Sequence, residues 1–147
     1  YLINLSIVNK PDDMNITLHI CRGNFRSTWF SSGGYEPVAK ELFGNCKVDE
    51  FFLEYDSDRS GDFTPLRFIK DQVVVLGLIT SKFSEFEDKE MIKARINEAS
   101  QFVALDQVCL STQCGFASTE EGNNLTEDQQ WAKIALVKEI AEEVWGK

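Results

Sequence analysis

Four short apolar segments alternate with longer segments of helical pattern, and this alternation limits the folds open to the chain. The apolar segments span residues 15–21, 50–55, 72–79 and 107–114, and each is nearly continuous in hydrophobic residues. Such runs are typical of strands buried on both faces of a parallel sheet. Strands that alternate with helices predict an α/β fold with right-handed crossovers. Four strand–helix units fit either a small open doubly wound sheet or half of an eight-unit barrel.

Helix signals lie between the apolar segments and after the last one. We predict helices over residues 35–43, 64–69, 88–102 and 126–145, and residues 2–8 have the pattern of the end of one more. The last helix has the strongest signal, because Thr126 and Gln129 have the spacing of a capping box. No repeat or linker-like tract divides the sequence, so we expect residues 1–147 to form a single domain.

The charge balance and the hydropathy pattern argue against two classes of partner. Fifteen Lys and Arg residues against 24 Asp and Glu residues give a net charge of −9, which is unsuited to a nucleic-acid backbone. The longest apolar run, residues 73–79, falls well short of the roughly 20 residues that span a bilayer. We therefore expect neither a nucleic-acid partner nor a membrane partner.

The chain has four cysteines, at positions 21, 46, 109 and 114. Two disulfides are conceivable in a secreted protein, but a chain of this length does not need them and nothing else in it is typical of secretion. We expect reduced thiols and a cytoplasmic location. A reduced thiol is then packed, incidental or bound to metal.

Metal-binding side chains fall where the predicted strands end. His19 and Cys21 are two residues apart on the first strand, so both point to the same side. Glu54 ends the second strand and Cys114 ends the fourth. The carboxyl ends of parallel strands form the functional sites of both candidate architectures. Two sulfurs, one imidazole and one carboxylate suit Zn²⁺ better than Mg²⁺ or Ca²⁺, so we predict a zinc site of these four residues.

Each of the four residues also has an ordinary structural interpretation. A histidine near a cysteine is more often a packed side chain than a ligand, and Cys114 could be a small core residue. Glu54 could form a salt bridge with Arg22 or Arg59. The common position of all four at one end of the sheet is what favours the metal over these alternatives.

Two other cysteines and two polar loops complete the sequence-based hypothesis. Cys109 is an odd number of residues before Cys114 and should point to the other side of its strand, and Cys46 should lie at the opposite end of the sheet; both are expected to be packing residues. The loops after the first two strands are polar and should contact substrate. The candidate substrate-binding residues in these loops are Arg22, Asn24, Arg59 and Ser60.

Four segments of the chain resemble one known family. LHICRGNFRSTW, FFLEYDSDRSGDF, VVLGLITSK and CLSTQCGFASTEEGN are similar to the carboxyl-terminal catalytic barrel of cobalamin-independent methionine synthase, most of all to its short single-barrel branch. The resemblance implies a zinc-dependent transfer of a methyl group from N5-methyltetrahydrofolate to the thiol of homocysteine. The family's zinc ligands fall on His19, Cys21, Glu54 and Cys114, the same residues that spacing selects.

The chain departs from the family pattern at two places. The usual proline of the segment before the last cysteine is Thr112. The D-x-H-S segment, whose histidine is implicated in protonating the departing folate, is absent, and Thr80 stands in its place. No residue is therefore assigned as proton donor, and the methyl donor stays open.

The resemblance also implies an architecture. The four strands would be the last four of a (β/α)8 TIM barrel, so that residues 1–147 form its carboxyl-terminal half. A half-barrel leaves two unpaired strand edges, so we expect either a fragment of a longer polypeptide or self-association. Two alternatives remain: a zinc-binding half-barrel without activity of its own, and a related zinc thiol methyltransferase with another acceptor or a corrinoid-carried methyl group.

Overall fold

The computed structural model of the chain describes residues 2–117 and 119–146. They form an α/β fold around one four-stranded sheet, in which all neighbouring strands pair in parallel in the order β1-β2-β3-β4. The predicted parallel sheet is therefore confirmed. The strands are β1 (Thr17–Ile20), β2 (Glu50–Glu54), β3 (Val73–Ile79) and β4 (Val108–Thr112).

Four of the five predicted helical segments are α-helices, in the predicted order. They are α1 (Leu2–Ser6), α2 (Glu36–Asn45), α3 (Lys89–Ala99) and α4 (Glu127–Trp145). The predicted capping box is present: Gln129 N donates to Thr126 Oγ1, and Thr126 N donates to Gln129 Oε1. Among the described residues, no helix is long and apolar enough to cross a membrane.

One predicted helix is wound differently. The segment predicted over residues 64–69 is the 3₁₀-helix Thr64–Phe68, with Pro65 in its first turn. Leu66 N and Ile69 N donate to carbonyls three residues earlier, which is the 3₁₀ pattern. There are two further 3₁₀ turns among the described residues. Asp58–Ser60 precedes this helix, and Leu105–Gln107 leads into β4.

The helices cover one face of the sheet. On that face Phe51 and Leu76 are fully buried, and they belong to one core with Phe43 of α2, Ile96 of α3 and Ile140 of α4. Aromatic rings dominate the part of the core next to β2, where the Phe43 and Phe51 rings stand edge to face with centroids 5.1 Å apart. This packing fixes β2 and β3 at the centre of the sheet.

The opposite face of the sheet is open among the described residues. His19 of β1 and Cys109 of β4 are exposed there, and Phe52 of β2 is only half-buried. The prediction of strands buried on both faces is therefore wrong for this part of the chain, because α2, α3 and α4 all lie on the other side. Cys109 was expected to point away from the cluster as a packing residue, but the strand register places it on the face of His19, where it is exposed. Cys46 is buried after the end of α2, as predicted.

Candidate metal centre

The carboxyl ends of the strands bring together the four residues that the sequence selected. The candidate ligand atoms of His19, Cys21, Glu54 and Cys114 all lie within 4.8 Å of one another. Cys114 Sγ is 3.2 Å from His19 Nε2, 3.4 Å from Cys21 Sγ and 3.3 Å from Glu54 Oε1. Cys114 is thus the central member of the cluster.

The spacing and chemistry of these atoms fit a zinc ion. A tetrahedral ion with ligand bonds of about 2.0–2.3 Å holds its donor atoms about 3.3–3.8 Å apart, close to the separations around Cys114. Two sulfurs with one imidazole are also the soft donors that disfavour Mg²⁺ and Ca²⁺. The residues present therefore fit the metal that the donor set suggests.

Burial divides the cluster into an inner and an outer pair. Glu54 and Cys114 are buried, with exposed fractions of 2% and 8%, whereas His19 and Cys21 are exposed. A shallow cavity of about 280 Å³ lies beside the cluster, with His19, Phe52, Cys114 and Gly115 in its lining. A ligand can therefore reach the outer pair from the open face of the sheet.

Burial raises the pKa of the Cys114 thiol, and the neighbouring Cys21 and Glu54 raise it further. Without a cation, the Cys114 thiol therefore stays protonated, and its S–H donates a hydrogen bond to Glu54 Oε1. A divalent cation among these atoms has the opposite influence, since it favours the thiolate.

Arg22 holds Glu54 in place. Its backbone N–H donates to Glu54 Oε2 at 2.8 Å, and its guanidinium Nη1 lies 3.8 Å from the same oxygen. The guanidinium is itself fixed by bonds to the Gly33 carbonyl, the Tyr35 hydroxyl and the Glu54 carbonyl. Glu54 Oε1 is therefore left facing Cys114.

Gly77 lets the end of β4 approach β3. The pairing of β3 with β4 shifts between Gly77 and Ile79. A Cβ on Gly77 would lie 2.6 Å from Gln113 Cα and 3.0 Å from the Leu53 carbonyl oxygen. Only glycine permits this approach, which carries the chain past Gln113 and places Cys114 beside Glu54.

Gly23 lies next to Cys21 in a conformation that favours glycine. Its φ is +100°, and a Cβ there would lie 2.5 Å from Phe30 N. The Gly23 N–H donates to Cys21 Sγ at 3.2 Å. A backbone donor of this kind stabilises the thiolate form of the cysteine, and the thiolate is the form that binds metal.

The four candidate substrate-binding residues all have partners within the chain. Arg22 and Asn24 bond to groups beside the cluster, as Asn24 Nδ2 donates to the Gly115 carbonyl. Arg59 packs over the Trp29 ring at 4.1 Å and donates to the Ser31 carbonyl, while Ser60 Oγ donates to the Ser57 carbonyl. Their binding of substrate stays a prediction.

Two residues just after β3 bear on the sequence-based hypothesis. Thr80 is the residue that the sequence analysis compared with the proton donor of cobalamin-independent methionine synthase, and Lys82 is a residue that sequence reasoning missed. Thr80 Oγ1 accepts from Lys82 N at 3.2 Å. Lys82 is 1% exposed, and its Nζ donates to Asn24 Oδ1 at 3.3 Å. Its position just after a strand end was the available signal, but nothing in the sequence distinguishes this lysine from an exposed one.

Removing the Arg22 side chain should weaken the metal centre. In Arg22→Met the backbone bond to Glu54 remains, but the guanidinium that fixes the surrounding backbone is lost. Loss of an outer partner of a ligand typically lowers metal affinity about 10–100-fold. Competition with a chromophoric chelator measures this. Arg67→Met, which removes an exposed pair with Glu36, is the matched control and should bind zinc as the wild type does.

The fold and the donor set define a parallel α/β protein with a candidate transition-metal centre at the carboxyl edge of its sheet. No protein-family model matches the chain. It is 62% identical over 145 residues to the uncharacterized protein YxjH of Bacillus subtilis (strain 168), and 59% identical over 145 residues to the uncharacterized protein YxjG of that strain. Each match covers 97% of this chain and 38% of the relative, so the chain spans well under half the length of both relatives.

Two solved structures share the fold. One, from Listeria monocytogenes, is provisionally assigned as a vitamin-B12 independent methionine synthase; it is 46% identical, with a TM-score of 0.76 over 99% of this chain and 40% of that one. The other is a B12-independent methionine synthase from Shewanella sp. W3-18-1 in complex with selenomethionine. It is 22% identical, with a TM-score of 0.73 over 93% of this chain and 40% of that one, and so shows likeness of fold.

Proposed function

We propose that this chain supplies the metal-holding part of a methyltransferase of the cobalamin-independent methionine synthase type, with zinc held by His19, Cys21, Glu54 and Cys114. The observation that carries the proposal is the convergence of these four side chains within 4.8 Å. The likeness to the Listeria protein, at 46% identity, supports the same reaction class. The proposed reaction moves a methyl group from N5-methyltetrahydrofolate to the sulfur of homocysteine and yields methionine.

Zinc bound here would stabilise the thiolate of homocysteine near neutral pH, which makes that sulfur nucleophilic. Cys21, Cys114 and His19 would hold the ion as soft donors. Glu54 is the one oxygen donor among the four, and it is the ligand that we propose gives way to the substrate sulfur. Its Oε2 already accepts from Arg22 N, so the displaced carboxylate would keep a hydrogen-bond partner.

The carboxyl edge of the strands is the proposed place of entry for homocysteine, because the interior of a barrel is a packed core. His19 and Cys21 are exposed, and the cavity of about 280 Å³ beside the cluster is large enough for a small amino acid. Arg22, Asn24, Arg59 and Ser60 remain candidates for substrate contacts in the surrounding loops. A cytoplasmic location remains our expectation from the unlinked cysteines.

A second methyl donor is a specific alternative. The segment that carries the proton-donating histidine in the family has Thr80 in its place, and a threonine hydroxyl is a poor acid for a departing folate nitrogen. This departure favours a donor that leaves without a proton, such as a corrinoid-carried methyl group.

The decisive experiment measures methionine made by the whole polypeptide in which this chain occurs. Zinc-loaded protein is given homocysteine with either N5-methyltetrahydrofolate or a methylated corrinoid. Methionine from the folate supports the proposal, and methionine from the corrinoid alone supports the alternative. No methionine from either donor, with zinc bound, indicates a metal-binding domain without this activity.

We further propose that the four strands are the carboxyl-terminal half of an eight-stranded barrel, and that residues 1–147 act as one domain with the other half. The open sheet face, the unpaired edges of β1 and β4 and the coverage of about 40% of the Listeria protein support this. The isolated chain should therefore associate with itself or aggregate. Light scattering that shows a stable monomer would contradict this expectation.

A further inference from the structure

The side-chain amide of Asn24 connects the two loops that carry the cysteine ligands. Asn24 is 5% exposed and lies three residues after Cys21. Its Nδ2 donates to the carbonyl oxygen of Gly115 at 2.8 Å, and Gly115 directly follows Cys114. The bond therefore joins two backbone segments, 91 residues apart in sequence, whose cysteine sulfurs lie 3.4 Å from each other.

The orientation of this amide is fixed by donors on its other side. Asn24 Oδ1 accepts from Asn123 Nδ2 at 2.9 Å and from Lys82 Nζ at 3.3 Å. A lysine ammonium can only donate, so the oxygen of the amide must face Lys82 and its NH₂ must face Gly115. The Asn24 amide thus has a single arrangement that satisfies its neighbours.

Lys82 makes that arrangement costly to change. Its side chain is 1% exposed, and a buried ammonium is unfavourable unless it keeps its partners. The hydrogen bond from Nζ goes to Asn24, and the nearby Asp56 adds electrostatic compensation: burial raises the pKa of Asp56, and Lys82 opposes that rise. If the Asn24 amide were rotated by half a turn, its NH₂ donors would face the Lys82 ammonium, which also can only donate.

The Gly115 carbonyl has a second donor within reach. Ser81 Oγ lies 3.0 Å from this oxygen and 2.9 Å from Gln113 Oε1, which also accepts from Ser81 N at 2.6 Å. A hydroxyl has one proton and can donate to only one of the two acceptors at a time, whereas the orientation of the Asn24 amide holds Nδ2 on Gly115. Asn123 connects Asn24 to the segment after β3, since Asn123 Nδ2 donates both to Asn24 Oδ1 and to the Ser81 carbonyl.

We propose that Asn24 is a positioning residue that sets the separation of Cys21 and Cys114 and thereby the affinity and geometry of the metal centre. The inference rests on the proposed function, since it needs a metal at these sulfurs. It assigns to Asn24 a role through its contact with Gly115, with Lys82 and Asn123 holding the amide in the required orientation.

The test compares metal binding by variants of the whole polypeptide, with Zn²⁺ affinity measured by chelator competition and Co²⁺ as the spectroscopic probe. Asn24→Ala removes the link and should lower Zn²⁺ affinity about 10–100-fold. Asn24→Asp keeps the shape and the contacts to Lys82 and Asn123 but cannot donate to Gly115, so it should lose as much. Both should change the intensity of the thiolate-to-Co²⁺ charge-transfer band.

Asn45→Ala is the control. Asn45 is the last residue of α2, and its side-chain amide donates to the exposed Glu41 of the same helix. It should bind zinc within about twofold of the wild type. Thermal melting with and without zinc identifies a variant that fails to fold. If Asn24→Ala does not fold, the metal binding of Asn24→Asp decides the test.

The outcomes separate this inference from the function on which it rests. Unchanged Zn²⁺ affinity and an unchanged Co²⁺ spectrum in both folded Asn24 variants would overturn the inference alone. A wild-type protein that binds neither metal would overturn both. Normal metal binding by the wild type without methionine formation would overturn the proposed reaction and leave the role of Asn24 to be judged by the variants.

Discussion

Cys114→Ser should abolish both metal binding and methyl transfer. Cys114 Sγ lies 3.2–3.4 Å from His19 Nε2, Cys21 Sγ and Glu54 Oε1, so its loss removes the proposed metal ligand that contacts the other three. Loss of an outer partner alone lowers metal affinity about 10–100-fold, and loss of a ligand should exceed that range. Metal content after dialysis and the rate of methionine formation from homocysteine both report the effect.

Cys109→Ser is the matched control for this substitution. Cys109 lies on β4, five residues before Cys114, and is outside the metal cluster. Its serine variant should keep the wild-type metal content. One equivalent of zinc retained by Cys114→Ser, with activity intact, would contradict the assignment of the ligands.

Gly77→Ala should destabilise the fold and disturb the metal centre together. The added Cβ would lie 2.6 Å from Gln113 Cα and 3.0 Å from the Leu53 carbonyl oxygen, and both neighbours are backbone atoms that cannot simply rotate away. Overpacking of this kind costs about 1–3 kcal/mol. β4 must move away from β3, and Cys114 moves with it, so zinc affinity should fall as well.

Denaturant unfolding and chelator competition measure the two parts of this prediction. Gly44→Ala is a suitable control, because a Cβ at that position in α2 meets nothing within 4 Å. It should leave zinc affinity unchanged and, if anything, stabilise the helix. A Gly77→Ala protein with wild-type stability and zinc affinity would show that β3 and β4 adjust without cost.

The sequence predicted the sheet and the convergence of the four candidate ligands because both follow from local rules. Strand alternation places His19 and Cys21 on one side of β1, and parallel strands end at one edge, where Glu54 and Cys114 also lie. These rules need the strands only approximately, so strand bounds that were too long by one or two residues did no harm. Cys21 in fact lies just beyond β1.

The parts that were not predicted depend on contacts between distant segments. Phe52 is as apolar as Phe51, so the sequence could not show that helices cover one face and leave the other open. The register shift at Gly77 arises from the approach of Gln113, 36 residues away, and a glycine in a strand has several meanings. Arg22 was a candidate both for substrate contact and for a salt bridge with Glu54. Its guanidinium is held by three groups within the chain and lies 3.8 Å from Glu54 Oε2.

The candidate metal centre joins the two outermost strands of the sheet. His19 on β1 and Cys114 after β4 are 95 residues apart in sequence, and in the part of the chain that the structure describes each of these strands has one unpaired edge. An ion bound by both would stabilise the folded state, because the ligands are brought together only when the chain is folded. Removal of zinc should therefore speed amide hydrogen exchange most in β1 and β4, and least in β3, which carries none of the four candidate ligands.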